Sequence, residues 1–446
     1  MTADNMDYVD VSSDHGSHPL GRRLTVAACV LCVVILVFAL GGCWDARDID
    51  HIGFIMGMGV DESDDGKIVV WVQMALPSSG PEGAANTPAW LGSAAGNTMM
   101  DAMSALRMKS AKTLFRGHVK VLVIGEKIAR KGLTPILDYL ARDSQFRYNS
   151  WVLVTSDPVG KIFEVEADQE NMASSYINLM MRHATLSSVA PQSRFRDLLS
   201  TAAEPGDQPV LARVSLVKSE PEEEEGEQDE AQQGVWGQRT GNEGGKGKKG
   251  DVETKSDIEI SGSAALHGDL VVGWLDPVQT AMVLMARNRL KEYSFLHMVP
   301  GTEGDTVGVK VLHSRATIEL PPRHKMTRTG LRGAEVRIRV TGCAYIEEVM
   351  SEEQFVSIEA DRNLSRGVSD QIEAEMESLI EIAQNRLGTD IFGIGEAVRR
   401  RISSDAWEEE IAPIWRDIFK EIKIIPEVSL KVERQGTTMT SPRPQA

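Results

Sequence analysis

The chain reads as an α+β protein: successive mixed β-sheet domains flanked by helices, set behind a lipoprotein signal peptide. Three observations carry that reading. Short β-rich runs alternate with helix-period stretches, a charged Gly-rich stretch interrupts them, and an uncharged apolar run stands near the amino terminus. At 446 residues, 42% hydrophobic and 25% charged, the composition is globular, with room for two or three folding units of roughly 150 residues. Units of that size bury a core without disulfides. The 48 Lys and Arg against 65 Asp and Glu leave a formal charge of −17. That balance argues against a nucleic-acid partner, because phosphate neutralisation needs clustered basic residues.

The first 42 residues read as a signal peptide with an acidic leader. Residues 24–40 (LTVAACVLCVVILVFAL) are free of charge, follow Arg22-Arg23 and lead into Leu40-Gly41-Gly42-Cys43. A basic flank, an apolar run and a small-residue exit are the parts of a secretory signal in their usual order. Leu40, Gly41 and Gly42 form a lipobox, whose small residues let a peptidase approach the backbone. The thiol of Cys43 is then the nucleophile that takes the diacylglyceryl group. An uncleaved membrane anchor is the alternative, since the run nears the roughly 18–20 residues of a spanning helix. Either way the body is exported and tethered. Asp4, Asp7, Asp10 and Asp14 make the leader unusually acidic, and losing them with Arg22 and Arg23 would change the formal charge from −17 to −15. Cys29 and Cys32 form a C-x-x-C inside the apolar run, where no His or Asp accompanies them, so they read as apolar filler. A cleaved chain keeps only Cys43 and Cys343, and with Cys43 lipidated no internal disulfide can form.

Residues 43–217 read as an N-terminal α/β-type domain. Residues 67–74 (KIVVWVQM), 119–124 (VKVLVI, ended by Gly125) and 151–155 (WVLVT) are β-rich. Between them, 97–108 place Met99, Met103 and Leu106 at helical spacing, and 133–142 form a helix that tolerates Pro135 in its first turn. A β, α, β order favours a mixed, partly parallel sheet with helices against it. Residues 218–256 are dominated by charge, Gly and Gln, with Val235-Trp236 their one bulky apolar pair, and read as a flexible charged insertion. The insertion is acidic first and basic later; an exposed loop and an electrostatic contact with a wall polymer or lipid head group are both open readings.

Residues 257–436 read as one or more C-terminal α+β domains, and 437–446 as a tail. Residues 258–266 and 270–274 flank His267-Gly268-Asp269 as a hairpin. A helix begins near Pro277 with Met282, Met285 and Leu290 on one face, and 335–340 (EVRIRV) alternate as a half-buried strand. The longest helix is expected over 368–387, with Ile372, Met376, Leu379, Ala383 and Leu387 in one stripe and Gly388 as its stop. Trp407, Ile411, Ile414, Trp415 and Ile418 predict another amphipathic helix, and Val428, Leu430 and Val432 a closing strand.

A search for chemistry finds no catalytic residue, cofactor-binding residue or metal-ligand set. The nine histidines show no H-x-x-x-H and no His/Cys pair at ligand spacing. His118, at the mouth of a predicted strand, reads as a packed or capping residue. Gly57-Met58-Gly59 lacks the third glycine of a dinucleotide loop, and no P-loop or G-x-S-x-G is present. Glu347-Glu348 and Glu408 to Glu410 fall on expected exposed faces as solvated charge. The segment 390–395 (DIFGIG) reads as a contact loop or a helix-linking turn.

Cys43-Trp44-Asp45 running into ARDIDHIGFIMGMGVD resembles the mature start of the Ger(x)C family, the C-subunit lipoproteins of spore-germination nutrient receptors. The resemblance continues through GHVKVLVIGEKIARKGLTPILDYLARDSQFR, SGSAALHGDLVVGWLDPVQT and LGTDIFGIGEAVRRRISSDAWEEEIAPIWRDIF. It spans most of the chain from Cys43 to about Gly436; the acidic leader and the 218–256 insertion depart from it. The resemblance implies an α+β fold, no enzymatic activity and no cofactor. It also implies lipid anchoring through Cys43 on the outer face of the spore inner membrane, and assembly with A-type and B-type integral-membrane receptor subunits. Two other classes stay open: a solute-binding lipoprotein of a transporter, for which 5% aromatic content and no internal repeat are poor signals, and a membrane-tethered wall-active enzyme.

Overall fold

A computed structural model describes residues 19–40, 51–76, 89–166, 169–202, 206–218, 256–298, 306–350 and 358–434. The chain divides into two units, Met1–Ile52 and Gly53–Ala446. In the first, the apolar run forms helix α1 (Pro19–Leu40).

The second unit holds two sheets, of nine and four strands among the described residues. Its first part contains β1 (Ile52–Glu62), β2 (Ile68–Ala75), β3 (Ala89–Gly96), α2 (Met99–Lys109), β4 (Thr113–Phe115), β5 (Val121–Gly125), α3 (Glu126–Ala129), α4 (Thr134–Ala141), β6 (Trp151–Thr155), α5 (Val159–Glu164), α6 (Ala173–Leu186), α7 (Phe195–Ala202) and β7 (Val210–Lys218). Then come β8 (Ser256–His267) and β9 (Leu270–Leu275), and the sheet runs β3-β2-β1-β5-β6-β7-β8-β9 with β4 beside β1. Its centre, β1-β5-β6-β7, is parallel, and its flanks are antiparallel. Both faces are covered. On β5 and β6, Leu122, Ile124, Val152 and Val154 meet α2, α3, α4 and α7, while Val121, Val123, Trp151 and Leu153 meet α5 and α6. Two-sided burial explains why these strands are continuously apolar instead of alternating.

The sheet does not stop at residue 217. Lys218, the last residue of β7, pairs with Ser256, the first of β8, so the charged insertion begins and ends at one rung of an antiparallel ladder. Strands β8 and β9, assigned by sequence to the C-terminal domain, complete the first sheet. Residues 219–255 lie outside the described residues. The β8–β9 turn is the expected hairpin, with His267 opposite Leu270 and Gly268 at φ +62°.

The second sheet, β10-β11-β12-β13, comprises β10 (Tyr293–Met298), β11 (Thr306–Glu319), β12 (Glu335–Met350) and β13 (Lys423–Arg434). Val336, Ile338 and Val340 face inward, fully buried, as their alternation predicts. Helix α8 (Pro277–Ala286) opens with a capping box between Asp276 and Gln279 and has Pro277 in its first turn. It is buried from Thr280 to Ala286, because its core joins Val210, Ala265 and Leu275 of the first sheet to Val307 and Val309 of the second. The helix ends before Leu290: Asn288 takes φ +58°, and Leu290 packs against the core from the following loop.

Helix α9 (Ile358–Glu381) starts ten residues earlier than the sequence suggests and passes into a π-turn (Ile382–Leu387). Its stripe Leu364, Val368, Ile372, Met376, Leu379, Ala383 and Leu387 is buried, and Gly388 stops it at φ +61°. After α10 (Ile394–Arg399), the expected helix through Trp407 and Ile418 is broken into a π-turn (Ala406–Ile411), a 3-10 turn (Ala412–Ile414) and α11 (Trp415–Glu421). Pro413 lies inside it, and a proline ring removes an N–H donor and crowds the preceding turn. The apolar face survives: Trp407, Ile411, Trp415 and Ile418 are buried.

Candidate functional site

Helix α1 ends at Leu40. Gly41, Gly42 and Cys43, the rest of the predicted lipobox, lie outside the described residues. At 22 residues the helix is ~33 Å long, and among the described residues no helix is long and apolar enough to cross a membrane. Val26, Val30, Leu31, Val33 and Ile35 are each more than half exposed, and consecutive helical residues point in all directions. Cys29 and Cys32 are exposed free thiols on the helix, and among the described residues no three His, Cys, Asp or Glu side chains are placed to hold a metal.

In the body, the residues singled out by sequence have structural partners. His118 is exposed and stacks edge-on against Phe54 at 4.9 Å, with Phe115 at 5.6 Å. Gly57 and Gly59 lie within β1 and serve packing: a Cβ on Gly57 would sit 2.6 Å from Ser174 Cβ, and one on Gly59 2.3 Å from Val159 Cγ1. Their bareness lets α5 and α6 approach the strand. Glu347 pairs with Lys310 and accepts from Ser294 Oγ at 3.0 Å, so its carboxyl is held below its ordinary range, chiefly by Lys310. Glu408, Glu409 and Glu410 are exposed.

The segment 390–395 is a buried turn. Asp390 Oδ1 accepts from the N–H groups of Phe392, Gly393 and Ile394 at 3.2, 3.0 and 3.2 Å. Its Oδ2 accepts from Gly395 N–H at 2.7 Å and from Trp415 Nε1 at 3.2 Å. Arg287, also buried, donates from Nε to the Ile391 carbonyl at 2.7 Å and from Nη2 to the Gln208 carbonyl at 2.7 Å, and its Nη2 lies 2.9 Å from Asp207 Oδ1. Glu396 N–H donates to the Gly206 carbonyl at 2.8 Å, and Thr389 Oγ1 to the Leu266 carbonyl at 2.7 Å. Burial pushes the Asp390 carboxyl above its ordinary value, against the pull of the Gly395 and Ile394 N–H groups and of Arg287. Burial likewise pulls Arg287 down, opposed by Asp207. Both Asp390 oxygens and the Nε and Nη2 of Arg287 face fixed internal partners, so the knot's work is mechanical: it fastens the 389–396 turn to the residues leading into β7 and to the end of β8. Sequence reasoning found Asp390 but not Arg287 or Asp207, since about a hundred positions separate Arg287 from Asp390 and no spacing signal survives that distance.

Residues 45–216 match the family of the spore germination protein N-terminal domain, and residues 261–436 the family of the GerAC-like C-terminal domain of spore germination proteins. Spore germination protein KC of Bacillus subtilis (strain 168) is 23% identical over 408 residues, covering 87% of this chain and 93% of its own. Spore germination protein A3 of the same organism is 28% identical over 152 residues, 33% of this chain and 40% of its own. The crystal structure of the GerBC protein superposes with a TM-score of 0.50 at 16% identity, covering 86% of this chain and 99% of that one, which is a likeness of fold.

Proposed function

This chain belongs to the Ger(x)C family of spore germination proteins, and from that premise we propose that it is the lipid-anchored C subunit of a nutrient-germinant receptor. The observation that carries the proposal is positional: the two family domains follow one another over residues 45–216 and 261–436, and the first begins two positions after Cys43. The residues before it are the apolar α1 and the sequence Leu40-Gly41-Gly42-Cys43, the order a lipoprotein signal requires.

In this reading, cleavage before Cys43 and acylation of its thiol hold the body on the extracytoplasmic face of the spore inner membrane. Each buried CH₂ of the acyl chains contributes about 0.8 kcal/mol, so two or more chains tether durably. Tethering replaces intrinsic affinity by local concentration, and the body then meets A-type and B-type integral-membrane subunits at high effective concentration. The role is assembly and not turnover. A body fastened by packed cores and the Asp390 knot suits a rigid docking element.

Intact mass and membrane partitioning of the protein from sporulating cells, beside Cys43→Ala, test the proposal. The expected wild-type mass is that of a chain starting at residue 43 plus lipid, in the membrane fraction, with the variant left uncleaved or released. A wild-type chain that keeps its leader and carries no lipid overturns the anchor.

A further inference from the structure

The parallel strands β1, β5 and β6 share an amino edge. Lys120 N–H donates to the Met56 carbonyl at 2.8 Å and Trp151 N–H to the Lys120 carbonyl at 2.9 Å, so Lys120 sits between β1 and the start of β6. The residues that open α7 join the same edge, with Phe195 N–H donating to the Ser150 carbonyl at 2.9 Å and Arg196 N–H to the Tyr148 carbonyl at 3.0 Å. Strand β1 is also where the body takes up the chain that leads from Cys43. Nine positions separate Cys43 from Ile52, a fully extended reach of about 30 Å.

This edge carries basic charge that the protein leaves without carboxylate partners. Arg194 donates from Nη1 to the Asn149 carbonyl at 2.6 Å and lies over the Trp151 ring, its Cζ 3.0 Å from the centroid. Burial first, and then the charges of Arg196 and Arg182, pull its pKa down to about 10 against the opposing effect of Asp197. The carboxylates nearby are engaged: Asp197 with Arg196 at 3.3 Å, Asp143 with Arg116, and Asp138 with Arg142 at 2.9 Å. Among the described residues no carboxylate pairs with Lys120, Arg147, Arg182 or Arg194, and Arg147 and Arg182 are exposed. Tyr148, next to Arg147, is 47% exposed, with its hydroxyl donating to the Ala141 carbonyl at 3.1 Å.

The opposite edge of the same strands has the other sign. The cleft at their carboxyl ends is lined by Asp61, Glu62, Asp64, Glu126 and Asp157, against Lys127 and Arg130. In a chain of formal charge −17, a basic edge opposed to an acidic one gives the body an electrostatic direction, which a charged surface aligns.

We propose that the amino edge of β1, β5 and β6 rests on the anionic headgroups of the membrane that holds the protein. Lys120, Arg147, Arg182 and Arg194 meet the headgroup phosphates, and Tyr148 takes the interfacial level that suits a ring with one polar end. The acidic edge then faces away from the bilayer. The inference rests on the anchored reading of Cys43 for the bilayer within reach, while the contact itself is made by the folded body.

The test places the full chain with vesicles of phosphatidylcholine alone and of equimolar phosphatidylcholine and phosphatidylglycerol. Co-sedimentation reads the tether, and amide hydrogen exchange over 147–149 and 192–196 reads the contact. Wild type is expected to sediment with both vesicles, with exchange in those segments about fivefold or more slower on the anionic ones, the factor one basic residue contributes at such a surface. High salt removes the difference. So does the double variant Arg147→Glu with Arg182→Glu, whose exposed, unpaired positions leave the fold intact. Lys67→Glu with Lys218→Glu, exposed and at the carboxyl ends of the β1 and β7 strands, keeps it. Equal exchange on the two vesicles, or slowing that survives Arg147→Glu with Arg182→Glu, overturns the proposal and leaves the anchor standing. Sedimentation with the anionic vesicles alone, abolished by that double variant, removes the anchor and keeps the contact. Sedimentation with neither overturns both.

Discussion

Replacing Asp390 by Asn changes one oxygen of the buried knot into an NH₂ group and keeps its shape. The amide oxygen stays with the three N–H groups of Phe392, Gly393 and Ile394, because the reverse orientation would set an NH₂ against three donors. The NH₂ then faces Gly395 N–H and Trp415 Nε1–H, leaving two buried donors without an acceptor. Each orphaned group costs about 1–3 kcal/mol, and the three remaining bonds lose their charge assistance, for a total of about 3–5 kcal/mol. That is a large share of the 5–15 kcal/mol typical of a folded domain. Urea unfolding followed by tryptophan emission reads it out, since Trp407 and Trp415 sit in the same core with rings 5.7 Å apart. A double-mutant cycle with Trp415→Phe sharpens the test. The phenylalanine removes one of the two orphaned donors, so Asp390→Asn should cost about 1–2 kcal/mol less in that background. A cost below about 1 kcal/mol, or full additivity of the pair, would refute the hydrogen-bond accounting. The pH dependence has a sign as well. Burial keeps the folded carboxyl's pKa above its unfolded value, so the native state binds more protons in that window. Its contribution to stability therefore falls as pH rises above the ordinary carboxylate range, and Asp390→Asn removes that fall.

Gly59→Ala would push a methyl to within 2.3 Å of Val159 Cγ1 and 2.8 Å of Phe163 Cε2, an overpacking that should lower stability by about 1–3 kcal/mol in the same unfolding assay; unchanged stability would show that α5 retreats freely. His267 has an unpartnered Nδ1, and burial, with Arg416 and Lys420 adding to it, holds its pKa below the ordinary imidazole value. The unfolded chain then binds its proton at higher pH than the native one, so stability is lost as pH falls through about 6.5 toward the depressed folded value. His267→Gln should flatten that part of the melting-temperature profile, and an unaltered profile would assign the loss to other groups.

Local pattern carried most of the fold. The runs 119–124 and 151–155 could be read as buried strands because no polar residue breaks them, and the two-sided cover of β5 and β6 is the reason. The stripe from Ile372 to Leu387 and the stop at Gly388 were legible because a helix's buried face and its left-handed exit are both local properties. The break at Pro413 was legible in principle, but the apolar spacing across it concealed the change from one helix to three shorter turns. The sheet boundary was not legible. A composition shift at 218 looks like a domain border, yet Lys218 and Ser256 are partners on neighbouring strands.

By itself the sequence determined the alternating runs that became β2, β5, β6, β8, β9, β12 and β13 and the helices α2, α4, α8 and α9, the apolar run ending in Leu40-Gly41-Gly42-Cys43 and the family to which the body belongs. All of these are written in residues close to one another along the chain. Tertiary structure alone decided that α8 is buried on every side between two sheets, that Arg287 and Asp207 meet the Asp390 turn, and that Arg116 is buried against Asp143. The physical reason is range. Hydrophobic periodicity and capping act over a few residues, whereas the burial of a charge and the choice of its partners depend on segments from 27 positions apart, for Arg116 and Asp143, to 104, for Arg287 and Ile391, that only the folded core brings together.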